Sequence, residues 1–162
     1  TECGIVIAGM ATIEGKPHFY ILEDRSLQAS PDRWASEVLL AVSRNKADCV
    51  VGEANYGGDM VQATIQTAAK ARNEIMRYKA VQATRGKAVR AEPIVALFEQ
   101  GRAHLVGDSP YLEDELCQWV PGESRESPNR LDAMVWALTE LKLGQPGIMA
   151  VVAEPKKSRW RD

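Results

Sequence analysis

The order in which short β-branched runs and helically periodic stretches follow one another constrains this chain more than any other feature. "GIVIAGM" at 4–10 is apolar and β-branched, "EGK" at 14–16 signals a turn, and "HFYILE" at 18–23 resumes the strand pattern, so a hairpin opens the chain. Ser30-Pro31 then starts a helix, with Ser in the N-cap and Pro at the first helical position. Trp34, Val38, Leu39 and Val42 recur behind it at helical spacing. "CVVGE" at 49–53 reads as the next strand, and Gly57-Gly58-Asp59 leads into a second helix with Met60, Val61, Ile65 and Ala68 on one face. A strand over 75–83, a helical pattern with Ile94, Val95, Leu97 and Phe98, a short strand over 102–107 and an acidic helical turn over 111–119 follow. Ser127-Pro128 opens the last helix, whose apolar stripe is Leu131, Met134, Val135, Leu138 and Leu141; Gly144 ends it and Pro146 lies beyond. Hairpin, helix, strand, helix, strand, helix, strand, helix predicts an α/β domain with a mixed sheet, the hairpin on one side and parallel crossovers on the other.

At 162 residues the chain suits one domain with a real core. We expect that domain over 1–150, with a basic, flexible tail over 151–162 that carries Lys156, Lys157, Arg159 and Arg161. An apolar fraction of 45% and a charged fraction of 26% are those of an ordinary globular protein. No apolar run approaches the ~20 residues of a membrane span, and no basic-then-apolar leader pattern is visible at the N-terminus. Cys3, Cys49 and Cys117 are odd in number and far apart, which argues against a disulfide frame and against zinc, and for a reducing compartment; we expect a cytoplasmic protein. The net charge of −2 does not advertise nucleic-acid binding, but its distribution is uneven. Lys70, Arg72, Arg77, Lys79, Arg85, Lys87 and Arg90 face only one acid, Glu74, between 70 and 90, and the stretch from Asp108 to Glu126 is acidic. A basic block of that kind is either a phosphate footprint or a solvated helix face.

Two carboxylates stand out against this pattern. Glu53 ends an apolar run and precedes a Gly-Gly loop, at the carboxyl edge of a strand, where ligands of such sheets sit. Either it has reached solvent or it holds something. Asp132 lies one turn into a helix that is apolar almost all round. The helix dipole accounts for an Asp there, but a part-buried Asp and a strand-end Glu can also converge on a hard cation such as Mg²⁺ or Mn²⁺. Paired metals about 4 Å apart support in-line phosphodiester hydrolysis, one activating water and the other stabilising the leaving oxygen. Such chemistry needs carboxylates and no nucleophilic side chain.

"VVGEANYGGDMV", "ATRGKAVRAEPIVALFEQGRAHLVG", "LEDELCQWVPGE" and "SPNRLDAMVWALTEL" together resemble the C-terminal nuclease domain of tailed-phage terminase large subunits, including prophage and gene-transfer-agent relatives. The resemblance covers nearly the whole chain, in the family's order. It implies an RNase H-like fold and a Mg²⁺- or Mn²⁺-dependent endonuclease that cuts concatemeric double-stranded viral DNA during packaging. Its partners would be DNA, an N-terminal ATPase domain of the same polypeptide, the portal and the small terminase subunit, in the cytoplasm of a bacterial host. Glu53 matches the family's strand-end acid and Asp132 its helix acid, both metal ligands and catalytic there. Asp59, after the Gly-Gly turn, reads as a helix cap. Arg85, Lys87 and Arg90 fall in a basic loop that would meet DNA phosphate. One departure matters: the family's first catalytic Asp lies on a central strand upstream of the hairpin, and no Asp precedes "TECGIVIAG". We therefore expect the first strand to be absent, exposed sheet edges on both sides of the gap, an incomplete metal site and a longer parent chain. No Gly-x-x-x-x-Gly-Lys-Ser/Thr loop occurs, so the chain by itself is not expected to hydrolyse ATP.

Other readings stay open at this level. A resolvase- or transposase-type RNase H-like nuclease shares the carboxylates. A non-catalytic DNA-binding or portal-docking module is compatible with the missing Asp. In a metabolite-binding α/β domain, Glu53 and Asp132 would lie apart and solvated. His18 and His104 read as structural or surface residues, Glu113, Asp114 and Glu115 as a solvated helix face, and Trp119 and Trp136 as core.

Overall fold

The computed structural model describes residues 2–54, 58–121, 123, 128–144 and 147–153. The hairpin consists of β1 (Gly4–Ile13) and β2 (Lys16–Asp24). Glu14 and Gly15 both take positive φ, 51° and 77°, as a tight two-residue hairpin turn requires. Helix α1 (Pro31–Asn45) follows, then β3 (Cys49–Glu53), α2 (Gly58–Ala71), β4 (Tyr78–Val81), α3 (Lys87–Glu99), β5 (Ala103–Leu105), α4 (Pro110–Gln118), α5 (Asn129–Leu143) and β6 (Ile148–Ala153). Ser30 occupies the N-cap of α1 as expected, yet its side chain makes no cap hydrogen bond; Pro31 sets the start of that helix. The Asn55, Tyr56 and Gly57 of the loop after β3, the Ser127 expected to cap α5, and the stretch 154–162 lie outside the described residues.

The six strands form one sheet in the order β4-β3-β6-β1-β2-β5. β1 runs antiparallel to β2 and to β6, while β3 is parallel to β4 and to β6. The gap expected in the middle of the sheet is closed by β6. Val151, Val152 and Ala153, which the sequence reading assigned to a tail, are strand residues buried on both faces, so the boundary drawn at 150 falls inside a strand. "IMAVVA" is short and apolar throughout, the pattern of a central strand covered on both faces, here between antiparallel β1 and parallel β3.

Alternation along the strands divides the core in two. Val6, Ala8, Val51, Val81, Val151 and Ala153 face α3, α4 and α5. Ile5, Ile7, Val50, Ala150 and Val152 face α1 and α2. α5 is buried over nearly its whole length. It lies so close to β1 at Gly4 that a Cβ there would overlap the carbonyl oxygen of Asn129.

Two sequence expectations shift here. β4 and β5 are shorter than the runs at 75–83 and 102–107. Lys87 and Arg90, placed in a basic loop, belong to the first turns of α3, which runs on through Pro93. Pro93 removes one intrahelical donor, and the helix tolerates this because Ala91, Ile94 and Leu97 are buried on either side of it.

Candidate active site

Glu53 is the last residue of β3, half-buried and level with Val81 of β4. It stands two residues beyond Val51, so its side chain leaves the same face of the sheet, the one covered by α3 and α5. Asp132 lies in the first turn of α5, a helix that packs on that face. The backbone of α5 at Asn129 sits on Gly4, which pairs with Ala153 at the end of β6, and Val152 of β6 is level with Gly52 of β3. The first turn of α5 and the end of β3 therefore share one face and one end of the sheet. Gly4 and β3 are two strand spacings apart, about 10 Å.

Asp132 is 4% exposed and its charge is fully engaged. Oδ1 accepts a hydrogen bond from Nη2 of Arg90 at 3.0 Å, and Nζ of Lys87 stands 3.3 Å from Oδ2. Lys87 and Arg90 are three residues apart on α3 and so share one helix face. The Arg90 guanidinium lies over the Trp136 ring, 4.5 Å from its centroid, and Trp136 follows Asp132 by one turn. Nε of Arg90 donates to the carbonyl of Arg85 at 3.3 Å. Its Nη1 is sealed from solvent and has no partner among the described residues.

The turn that carries Asp132 is held by residues the sequence reading passed over. Arg130 donates to Asp24 through Nη1 at 2.7 Å and to Glu2 through Nη2 at 2.6 Å. Burial opposes the charge on Arg130, but Asp24 and Glu2 outweigh it and raise its pKa. The guanidinium also covers the Tyr111 ring. Oε2 of Glu115, from α4, accepts the backbone N–H of Leu131 at 2.9 Å. Glu115 is thus a cap supplied by another helix, where a solvated acidic face was expected. Burial pushes its carboxyl above the ordinary 4.5, with the Leu131 N–H and Arg130 pulling the other way. An Arg in an N-terminal helical turn, two residues before the Asp, was the available signal. What it could not supply was the partner set, which comes from Glu2, Asp24 and α4.

The remaining candidates fall elsewhere. Arg85 is exposed before α3, and Asp59 is exposed in the first turn of α2. His104 lies against His18 and Tyr20, rings stacked, at the β2–β5 edge, with Nδ1 of His18 2.9 Å from Nε2 of His104. Trp136 is core, and Trp119 packs against the same cluster. Among the described residues no three His, Cys, Asp or Glu side chains are grouped to hold a metal ion. Two carboxylates on one face still fit a hard divalent cation in donor type, since Mg²⁺ is commonly held by one or two carboxylates and completed by water and phosphate oxygens.

A mixed six-stranded sheet with helices on both faces, an acid at the carboxyl end of β3 and a second acid in the first turn of α5 is the architecture of an RNase H-like α/β domain. Comparison with protein families matches residues 2–141 to the terminase RNaseH-like domain, and the chain belongs to that family. No curated protein and no solved structure matches it significantly. The family is one of terminase nuclease domains, and no helix among the described residues is long and apolar enough to cross a membrane.

Proposed function

We propose that this chain is the endonuclease domain of a bacteriophage DNA-packaging terminase, hydrolysing phosphodiester bonds of concatemeric double-stranded DNA in the bacterial cytoplasm. The observation that carries this reading is the shared face and sheet end of Glu53 and Asp132 in a chain of the terminase RNase H-like family. Glu53 and Asp132 would hold Mg²⁺ or Mn²⁺, which supplies an activated water and charge neutralisation at the leaving oxygen. The chain's own part is to orient the two carboxylates through β3 and the pinned turn of α5, and to meet phosphate through Arg85, Lys87 and Arg90. The ATPase domain, the portal and the small subunit are the partners this role requires.

Plasmid nicking in Mn²⁺ and in Mg²⁺ tests it, with Glu53→Gln and Asp132→Asn alongside. Metal-dependent nicking that either substitution lowers by at least ~100-fold is expected, as for loss of a charge-stabilising catalytic group. Nicking that survives both would remove these residues from the mechanism. A second reading, a DNA-binding module without catalysis, draws on the engagement of Asp132 by Lys87 and Arg90. DNA binding without nicking in either metal would favour it.

A further inference from the structure

The fold divides the basic stretch between 70 and 90. Arg85, Lys87 and Arg90 follow β4, and two of them hold Asp132. Lys70, Arg72 and Arg77 precede β4, at the opposite end of the sheet, and the function proposed above leaves them unused. All three are exposed. Arg25, Arg44, Arg90 and Arg130 each hold a carboxylate, whereas Lys70, Arg72 and Arg77 pair with no acid among the described residues. The helix dipole accounts for Lys70 in the last turn of α2, but it gives no reason for Arg77, which lies beyond the following turn. Backbone bonds hold that turn in place. The N–H groups of Arg72 and Glu74 donate to the Ala69 carbonyl at 3.0 and 2.9 Å, and that of Asn73 to Lys70 at 3.1 Å. The Arg77 carbonyl accepts the Val50 N–H at 2.8 Å, which ties Arg77 to β3. Three unpaired cations thus stand on a fixed backbone.

β4 is an edge strand that pairs with β3 alone. Its open side runs from Arg77 toward the turn that carries Arg85. Lys79, exposed on that strand, is held by Glu140 at 2.5 Å. From Arg77 to Val81 is about 13 Å, the length of about four base pairs of duplex. We propose that Lys70, Arg72 and Arg77 form a second duplex-binding patch, away from the two carboxylates, which holds the backbone of the same DNA along the open edge of β4. The inference rests on the reading of the chain as a DNA endonuclease domain. A duplex brings a continuous row of charge that reaches both ends of β4, and it meets Arg85 and then Arg77 within one helical turn. The patch contacts phosphate and so reads no sequence. What it supplies is direction. Cations at one end of the sheet leave a duplex free to pivot about the cleavage site, and a second group at the other end of the same strand fixes its axis.

Fluorescence anisotropy of a labelled duplex of about 24 base pairs, or some 80 Å, tests this in EDTA, where nothing is cut. Binding is measured over a series of salt concentrations, and stoichiometry at high protein concentration. The proteins are the unsubstituted chain, Lys70→Gln/Arg72→Gln/Arg77→Gln, the charge-keeping Lys70→Arg/Arg72→Lys/Arg77→Lys, and Arg85→Gln. Each phosphate contact contributes about 0.9 to the slope of log K against log salt, so the glutamine triple is expected to flatten the plot by about 2–3 and to weaken binding on the order of 100-fold at ~0.1 M salt. The charge-keeping triple is expected to retain the slope, and Arg85→Gln to lose about 0.9 of it in the same one-to-one complex. If the glutamine triple keeps the full slope while Arg85→Gln loses its share, the patch is overturned and the DNA reading stands. Two duplexes per protein would overturn the shared path, and a charge-keeping triple as weak as the glutamine one would trace the effect to shape and overturn the patch. If no protein binds the duplex even at low salt, the reading of the chain as a DNA endonuclease domain falls and takes the patch with it.

Discussion

Arg130 sets where Asp132 stands more than any other single side chain. Its fork bridges Asp24 and Glu2, its Nε lies 3.7 Å from Glu115, and Asp132 follows two residues later on the same turn. The Asp24 side chain is 5% exposed, so removal of the guanidinium would leave a buried carboxylate without its cation. Arg130→Met is expected to lower unfolding stability by about 3–5 kcal/mol, the usual cost of breaking a buried pair from one side. Urea denaturation of the two proteins checks this. A loss below about 1 kcal/mol would mean that water reaches Asp24 and that the turn is held by packing alone. The case also shows why the pair around Asp132 was legible and its support was not. Glu53 and Asp132 are conspicuous because each is a charge inside an apolar pattern. Arg130 sits where a basic residue needs no explanation, and its partners lie more than a hundred residues away at Asp24 and Glu2.

At the scale of elements, local pattern located each helix and the first five strands among the described residues, through β-branched runs, helical spacing of apolar residues and turn signals. What local pattern could not decide was extent. The helical pattern in the sequence is visible from Ile94 onward, whereas α3 begins at Lys87, confirmed by the bond from the Arg90 N–H to the Gly86 carbonyl. Tertiary burial of Ala91, Ile94 and Leu97 overrides a proline that local propensity treats as a boundary. The override has a measurable cost. Pro93 is exposed and in the helix interior. Pro93→Ala is expected to raise stability by about 1–2 kcal/mol, the propensity gain being partly offset by a more flexible unfolded chain. A higher melting temperature with unchanged Lys87 and Arg90 geometry would support this. A lower one would show that the ring packs in a way that sets the direction of the first turn. β6 was missed for a different reason: its apolar run lies close to a basic, polar stretch, and nothing local says that it is the strand the centre of the sheet needs.

For the molecule as a whole, that central position governs stability. β6 joins the hairpin side of the sheet to the β3–β4 side, pairing with β1 from Gly4–Ala153 to Gly9–Ile148 and with β3 from Cys49–Met149 to Gly52–Val152. Both cores touch it, Val151 and Ala153 on one face and Ala150 and Val152 on the other. Local opening of β6 would uncover both clusters at once, so its amides should exchange with solvent only through global unfolding. β5 is three residues long, lies at the edge and pairs with β2 alone, so it should exchange through cheap local fraying. Native-state hydrogen exchange distinguishes the two. The amides of 149–152 are expected to show opening free energies equal to the global value and to follow it as urea is added, with those of 103–105 well below. The β1 and β3 edges that flank β6 are also the ones that position Gly4 beneath Asn129 and Glu53 beside Val81. If β6 exchanged as readily as β5, the centre of the sheet would be held by a strand able to leave it. The spacing between the Glu53 and Asp132 sides of the site would then be adjustable and would no longer be set by the fold.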